Sequence, residues 1–430
     1  MAVSGRLVLL ALLGTVVVAL AGSGTGVLVV DGLLLVAVAV DLALAGSVRE
    51  LRVERSGDTA VRLGETARVT LRVTNQGRRR VRGELRDAWP PSAGAANARQ
   101  PLDVPAGERR AVTVELGPTR RGDRTPDRVT VRAFGPLGLA ARQGTLAAPW
   151  RLRALPPFTS RKHLPSRLAR LRDLEGRTPI LVRGQGTEFD SLREYVPGDD
   201  VRSVDWRATA RAERVMVRTW RPERDRHVLV VLDTGRTSAG RVGSTPRLDA
   251  SLDAALLLAA LAARAGDRVD LFAHDRVLRA AVQGRSAGEV LPAFVEAMAP
   301  LEPQLVEPDW RTLVSEVLRR APHRSLVVLL TALDPAPLEH GLLPELDRLT
   351  ARHQVVIASV ADPRVVELAE GRGDAEAVYG AAAGSRAVLE RARVATLLRR
   401  RGVHVVEGTP DELPPRLADS YLELKASGRL

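Results

Sequence analysis

Two nearly unbroken apolar runs open the chain. Leu7 to Ala21 is interrupted only by Gly14 and Thr15, and Val27 to Ala45 only by Asp31, Gly32 and Asp41; Gly22-Ser23-Gly24-Thr25-Gly26 lies between them. At about 1.5 Å rise per residue, roughly 20 residues span a hydrocarbon layer, and backbone in lipid must satisfy its own hydrogen bonds. The pattern therefore predicts a transmembrane helical hairpin over residues 1–47. A cleaved signal peptide, starting at Arg6 and ending near Ala19-Leu20-Ala21, is the competing reading; a second apolar run directly behind the first argues against it. Asp31 and Asp41 sit toward opposite ends of the second run, within reach of an interface, and are expected to be tolerated there without relaying protons. Arg6 precedes the hairpin, Arg49, Arg52 and Arg55 follow it, and the turn is uncharged. The excess of cations beside the outer ends puts both termini, and hence the remaining domains, in the cytoplasm as parts of a two-pass membrane protein.

From residue 48 the period changes to two. Val69, Leu71 and Val73 alternate with Arg68, Thr70, Arg72 and Thr74, and Val112, Val114, Leu116 and then Val129, Val131 repeat the pattern. Turn signals separate the runs at Asn75-Gln76-Gly77, Pro105-Ala106-Gly107 and Gly135-Pro136-Leu137-Gly138. Short strands at this spacing predict an all-β immunoglobulin-like sandwich over 48–155. A connector follows over 156–225. Its Leu164, Leu168, Leu171 and Leu174 recur at helical spacing on a basic segment, as expected of a surface helix packing leucines on a neighbouring domain; a helix lying on an anionic membrane has the same pattern. Arg183-Gly184-Gln185-Gly186 lacks the strand before and helix after that a phosphate loop needs.

Residues 226–425 alternate strand and helix patterns. Strands fit at 227–232, 268–272, 325–331, 354–360 and 403–407, and helices near 248–265, 286–299, 309–320, 338–351, 386–400 and 411–424. This predicts a doubly wound α/β domain with a parallel sheet, binding ligands beyond the carboxyl ends of its strands. Those ends carry Asp233, His274, Asp275 and Thr331 to Asp334.

The stretch 186–233 concentrates what the rest of the chain lacks. Aromatic residues are only 3% of the sequence, yet Phe189, Tyr195, Trp206 and Trp220 fall here, among Glu188, Asp190, Arg193, Glu194, Asp199, Asp200, Arg202, Asp205, Arg207 and Arg211. Pro197-Gly198 reads as a tight turn, and Asp199 or Asp200 as the cap of a short helix from Val201. Such a mixture suits an ion-pair lattice joining two domains, or a docking surface for another protein. Val201, Val204 and Ala208 on one helical face predict that Trp206 is buried against the α/β domain, with Arg202, Arg207 and Arg211 facing Glu194, Asp199 and Asp205.

Glu188 through Asp200, Asp205-Trp206, Ala208, Ala210 and Arg211 resemble, without a gap, the signature of the bacterial domain-of-unknown-function family fifty-eight. The resemblance implies two membrane helices, a β-domain, the signature and a von Willebrand factor A-like α/β domain. It also implies a membrane-anchored accessory protein, often encoded beside a MoxR-type AAA+ ATPase. Glu188, Phe189, Asp190, Arg193, Tyr195, Pro197, Gly198, Asp199, Asp200, Asp205 and Trp206 are then the candidate partner surface.

The likeness to von Willebrand factor A domains requires a test for their divalent-metal motif, in which a carboxylate and hydroxyls make a hard oxygen site for Mg²⁺. Asp233 occupies the first position and Thr237 the third, but the second is Gly235, which has no side-chain oxygen. In the later loop Ala332 stands where the acid belongs, with Asp334 two residues on. Asp233, Thr237 and Asp334 are thus a degenerate metal set, and no cofactor is expected; a capping role for Asp233 in the loop Thr234–Ser238 is the alternative.

Composition narrows the chemistry further. The 430 residues allow two or three domains, and without cysteine there is no disulfide, thiolate metal site or Cys nucleophile. The net charge is +13, carried almost wholly by arginine, since Lys162 and Lys425 are the only lysines. The basic segments lack interleaved stacking aromatics, so no nucleic-acid partner is expected. The seven histidines make no HExxH spacing, and there is no GxxxxGK[ST] loop. These features lead to a non-enzymatic, membrane-anchored adaptor whose partners are the lipid bilayer and a protein, the MoxR-type ATPase by resemblance. An envelope enzyme with a site near Asp199, Asp200 and Asp205, and a metal-dependent adhesion module facing outward, are the alternatives.

Overall fold

The apolar run at the start forms two consecutive helices, Gly5–Ala21 and Gly24–Leu44. In the computed structural model, which describes residues 2–22, 24–177, 188–197, 199–221 and 226–430, their large side chains face outward, with Leu12, Leu20, Leu28 and Leu35 all more than 60% exposed. A core helix of a globular domain would bury such residues. The second apolar segment is long and apolar enough to cross a membrane; the first is shorter. Gly14 lets the helices approach closely, since a Cβ there would lie 2.5 Å from Val30 Cγ1.

The chain divides into two units, Met1–Pro157 and Phe158–Leu430. In the first, period-two patterning becomes a β-sandwich. One sheet runs in the order Ala2–Val3, Ala140–Leu146, Val129–Phe134, Val81–Asp87, Arg99–Val104. The other runs Leu51–Gly57, Ala67–Asn75, Arg109–Leu116, Ala95–Ala96, and a small three-stranded sheet of Ala60–Arg62, Leu152–Leu155 and Gly122–Arg124 completes the unit. Val53, Leu71, Val73 and Val112 of the second sheet pack on Val81, Leu85, Val104, Val129 and Val131 of the first.

Two charges assigned to the membrane boundary belong to this unit instead. Asp41 is fully buried and accepts hydrogen bonds from the backbone N–H groups of Leu137, Leu139 and Ala140 at 2.7, 2.7 and 3.0 Å. It ties the end of the second helix to a sandwich turn and is more than a tolerated carboxylate. Arg55 pairs with Asp87 inside the sandwich, both side chains fully enclosed, with its guanidinium over Trp89. Of the four arginines that flank the apolar runs in sequence, Arg6, Arg49 and Arg52 remain exposed.

The second unit is built on a six-stranded sheet, ordered Leu278–Val282, Arg268–His274, His227–Asp233, Leu326–Leu330, Gln354–Val360, His404–Gly408. All neighbours are parallel except the edge strand Leu278–Val282. Alternate residues of a strand face opposite sides. Leu229, Val231, Val327, Leu329, Val355 and Ile357 accordingly share one core with Trp310, Leu313, Val317, Leu346 and Leu398 of three helices. Helices Arg247–Arg264 and Leu413–Ala426 pack together and against the sheet. The connector helix Leu164–Arg177 joins them, burying Leu171 and pairing Arg167 with Asp419 at 2.9 Å. Just before it, Thr159 and Ser160 donate their hydroxyls to the buried Asp253 at 2.7 and 2.9 Å.

Candidate functional site

The signature stretch forms a two-stranded antiparallel ribbon, Glu188–Glu194 with Met216–Arg221, joined by the loop between them. Its acids organise that loop. Asp199 accepts from the two terminal guanidinium nitrogens of Arg193, at 2.8 and 2.6 Å, and from the Val196 N–H at 2.9 Å. Asp200 caps the short turn Val201–Ser203 by accepting from the Arg202 N–H. Asp205 caps helix Trp206–Ala212, accepting from the N–H groups of Arg207 and Ala208, each at 3.0 Å, while its other oxygen takes Arg218 at 2.8 Å. The Ala208 N–H, then Arg218, hold the Asp205 carboxyl below the usual carboxylate range.

Two sequence expectations fail here. Trp206 is 69% exposed, and Val201 64%, instead of buried. The cause is a second cap: the turn that Asp200 caps ends at Ser203 and a new helix begins after Asp205, so positions 201, 204 and 208 do not share one helical face. Nor do Arg202, Arg207 and Arg211 pair the nearby acids; among the described residues those partners are Arg193, Arg214 and Arg218. Leu192 on the ribbon, and Val196 and Val215 just beyond its strands, also lie exposed. Tyr195 is half-buried and Pro197 exposed. Gly198 and residues 183–186 lie outside the described residues, and of Glu188, Phe189 and Asp190 the backbone alone is described.

A second cluster stands at the carboxyl ends of the parallel strands. Asp233 is fully buried. Its Oδ1 accepts from the Gly235 N–H at 2.7 Å, and its Oδ2 from the hydroxyls of Thr331 and Thr237 at 2.6 and 3.2 Å. Burial pushes its pKa up to about 6, against the pull of Thr331, Gly235 and Thr237. Just past the end of the neighbouring strand Asp275, also buried, accepts from Thr234 at 3.0 Å and Arg279 at 2.7 Å. Burial raises Asp275, but Arg279 and the backbone N–H groups of Arg276 and Val277 outweigh it and hold it low. Burial also lowers the pKa of His274.

Of the three residues expected as a metal set, only Asp233 and Thr237 come together here. Both oxygens of Asp233 are enclosed and taken by protein donors. A Cβ at Gly235 would lie 2.7 Å from Pro308 Cγ, so the space for a hydroxyl ligand there is already filled. Asp334 does not join: it pairs with Arg247 at 3.7 Å, and Thr331 meets Asp233 in its place. Among the described residues no group of three or more His, Asp or Glu is arranged to hold a metal. Thr331 was visible in the sequence only as a strand-end residue; its pairing follows from the adjacency of its strand to that of Asp233.

The family match falls on the ribbon and most of the sheet. Residues 191–401 match the family described as Protein of unknown function DUF58. The DUF58 match begins inside the ribbon and ends just after helix Ala375–Arg400. Uncharacterized proteins of Mycobacterium tuberculosis (strain H37Rv) and Mycobacterium bovis are 27% identical over 191 residues, 44% of this chain. The chain covers 59% of the length of these relatives. Among solved structures, the CARDB domain of a Pyrococcus furiosus protein, crystallised with di-metal ions, is 16% identical with a TM-score of 0.19. It covers 26% of this chain and 91% of its own. An Escherichia coli alpha-2-macroglobulin fragment has the same score and identity over 26% of this chain and 17% of its own.

Proposed function

We propose that the protein is a membrane-anchored, non-enzymatic adaptor that presents its ribbon to a protein partner. The observation that carries this reading is the outward placement of Val201 and Trp206 on a loop whose acids are already committed. A tryptophan left in water on a well-capped loop suits an interface anchor, since aromatic anchors dominate binding at protein interfaces. Asp199, Asp200 and Asp205 are engaged as caps and ion-pair partners, which suits them poorly to general acid–base work. The α/β domain, von Willebrand factor A-like by the sequence resemblance, serves as the rigid support. The apolar helices anchor the chain in a bilayer, with the domains on the cytoplasmic side. A MoxR-type AAA+ ATPase is the partner the resemblance suggests.

The test uses the full-length protein in nanodiscs and the purified MoxR-type ATPase of the same organism. Binding is expected for wild type, and a loss of tenfold or more in Val201→Ser/Trp206→Ala, about 1.4 kcal/mol for each factor of ten. Equal affinity for both, or no binding by either, contradicts the proposal.

A further inference from the structure

Both ends of the helix pair return to one edge of the sandwich. Ahead of the first helix, Ala2–Val3 pairs with Ala140–Ala141 as an added strand, and the Ser4 N–H donates to the Leu139 carbonyl at 3.0 Å. Behind the second, the buried Asp41 gathers the N–H groups of Leu137, Leu139 and Ala140. The turn between these contacts is shaped for them. Gly135 leaves room for the Asp41 carboxylate, which a Cβ would overlap, and Gly138 adopts a positive φ of 68°. A second loop meets the same level: Arg79 donates to the Ala43 carbonyl, and Gly46 packs on the backbone of Arg80.

The side chains that this arrangement turns outward are of two kinds. Leu137 is 50% exposed and Val3 67%. Arg6, Arg78 and Arg79 are also exposed, the Arg6 guanidinium next to Gly138 and that of Arg79 on the Ala43 carbonyl at the end of the second helix. Arg80 is held by Asp103 at 2.6 Å and takes no part. Apolar tips among guanidinium groups, at the feet of apolar helices, match the boundary between acyl chains and phosphates.

We infer that the turn Gly135–Leu139, Val3 and arginines 6, 78 and 79 form a membrane-contact rim that takes the anionic phospholipid headgroups around the protein's own helices. Leu137 enters the boundary and the arginines bind the phosphates. Asp41, as the clamp, fixes the angle at which the sandwich stands on the bilayer. The inference rests on the reading of the helices as a membrane anchor.

The absence of native cysteine allows a single reporter in the full-length protein. Leu137→Cys carries an environment-sensitive fluorophore, and Leu305→Cys, 80% exposed in the other unit, is the reference. Each is placed in nanodiscs of phosphatidylcholine alone or with phosphatidylglycerol. Emission from position 137 should shift to the blue and be quenched several-fold more than that from 305 by lipids spin-labelled near the headgroup. Phosphatidylglycerol should strengthen this effect, and Arg6→Gln/Arg78→Gln/Arg79→Gln should abolish the strengthening. A probe at 137 as aqueous as that at 305, or a lipid dependence unchanged in the triple variant, overturns the rim. Carbonate extraction from vesicles separates the two readings: a protein that resists extraction but fails the probe test keeps its anchor and loses the rim. A protein released by carbonate overturns both.

Discussion

Asp233 is fully enclosed, and its pKa of about 6 stands above the ordinary 3.8. Between those values the folded chain holds the proton more tightly than the unfolded one. The stabilisation is fully present below the unfolded pKa and is lost as pH rises through 6. Asn at this position keeps an acceptor for the Gly235 N–H and removes the buried charge. Urea unfolding of wild type and Asp233→Asn should therefore give a stability difference that moves by about 2 kcal/mol in favour of the variant between pH 4.5 and 7.5. A difference independent of pH would refute the enclosed carboxylate. Trp206 carries the opposite expectation. Exposed substitutions away from special features change stability by about 0.5 kcal/mol or less. Trp206→Ala should thus leave the thermal midpoint of the full-length protein within about a degree or two, whereas loss of a core tryptophan would cost about 3–5 kcal/mol.

Among the elements, helix Trp206–Ala212 depends on one residue. Asp205→Ala removes a cap worth about 1 kcal/mol and the Arg218 pair together. Hydrogen exchange of the amides of 207–212 should accelerate by about fivefold or more, with the sandwich amides unchanged; Asp205→Ser should restore part of the protection. Acceleration spread over both units would contradict a local role. The same elements show what the sequence made legible. The strands His227–Asp233 and Gln354–Val360 were readable because strands buried on both faces are written as continuous apolar runs. Leu278–Val282 was not, since only Val282 of its residues is buried and Leu278 is exposed. The first part of helix Ala375–Arg400 was also missed, because its alanines and glycines carry no apolar period. Trp206 was misplaced because the turn capped by Asp200 stops at Ser203 and a second cap, Asp205, starts a new helix at Trp206. Asp41 had no local signal at all: its partners are backbone N–H groups nearly a hundred residues away.

For the whole molecule, the division at Pro157 implies that Phe158–Leu430 has its own core and unfolds on its own. Expressed alone, this fragment should show one cooperative thermal transition within a few degrees of the corresponding transition in the full-length protein. A fragment without a cooperative transition would mean that the sandwich is needed for its fold. The central claim, that the ribbon is where the anchored protein meets a partner, is tested most directly by photocrosslinking in the native membrane. A photoreactive residue is placed at Trp206, with Tyr379, 78% exposed on helix Ala375–Arg400, as the control. The account predicts an adduct with a MoxR-type ATPase from position 206 and none from 379. An adduct from 206 with this chain's own α/β unit, or the same ATPase adduct from both positions, would contradict it.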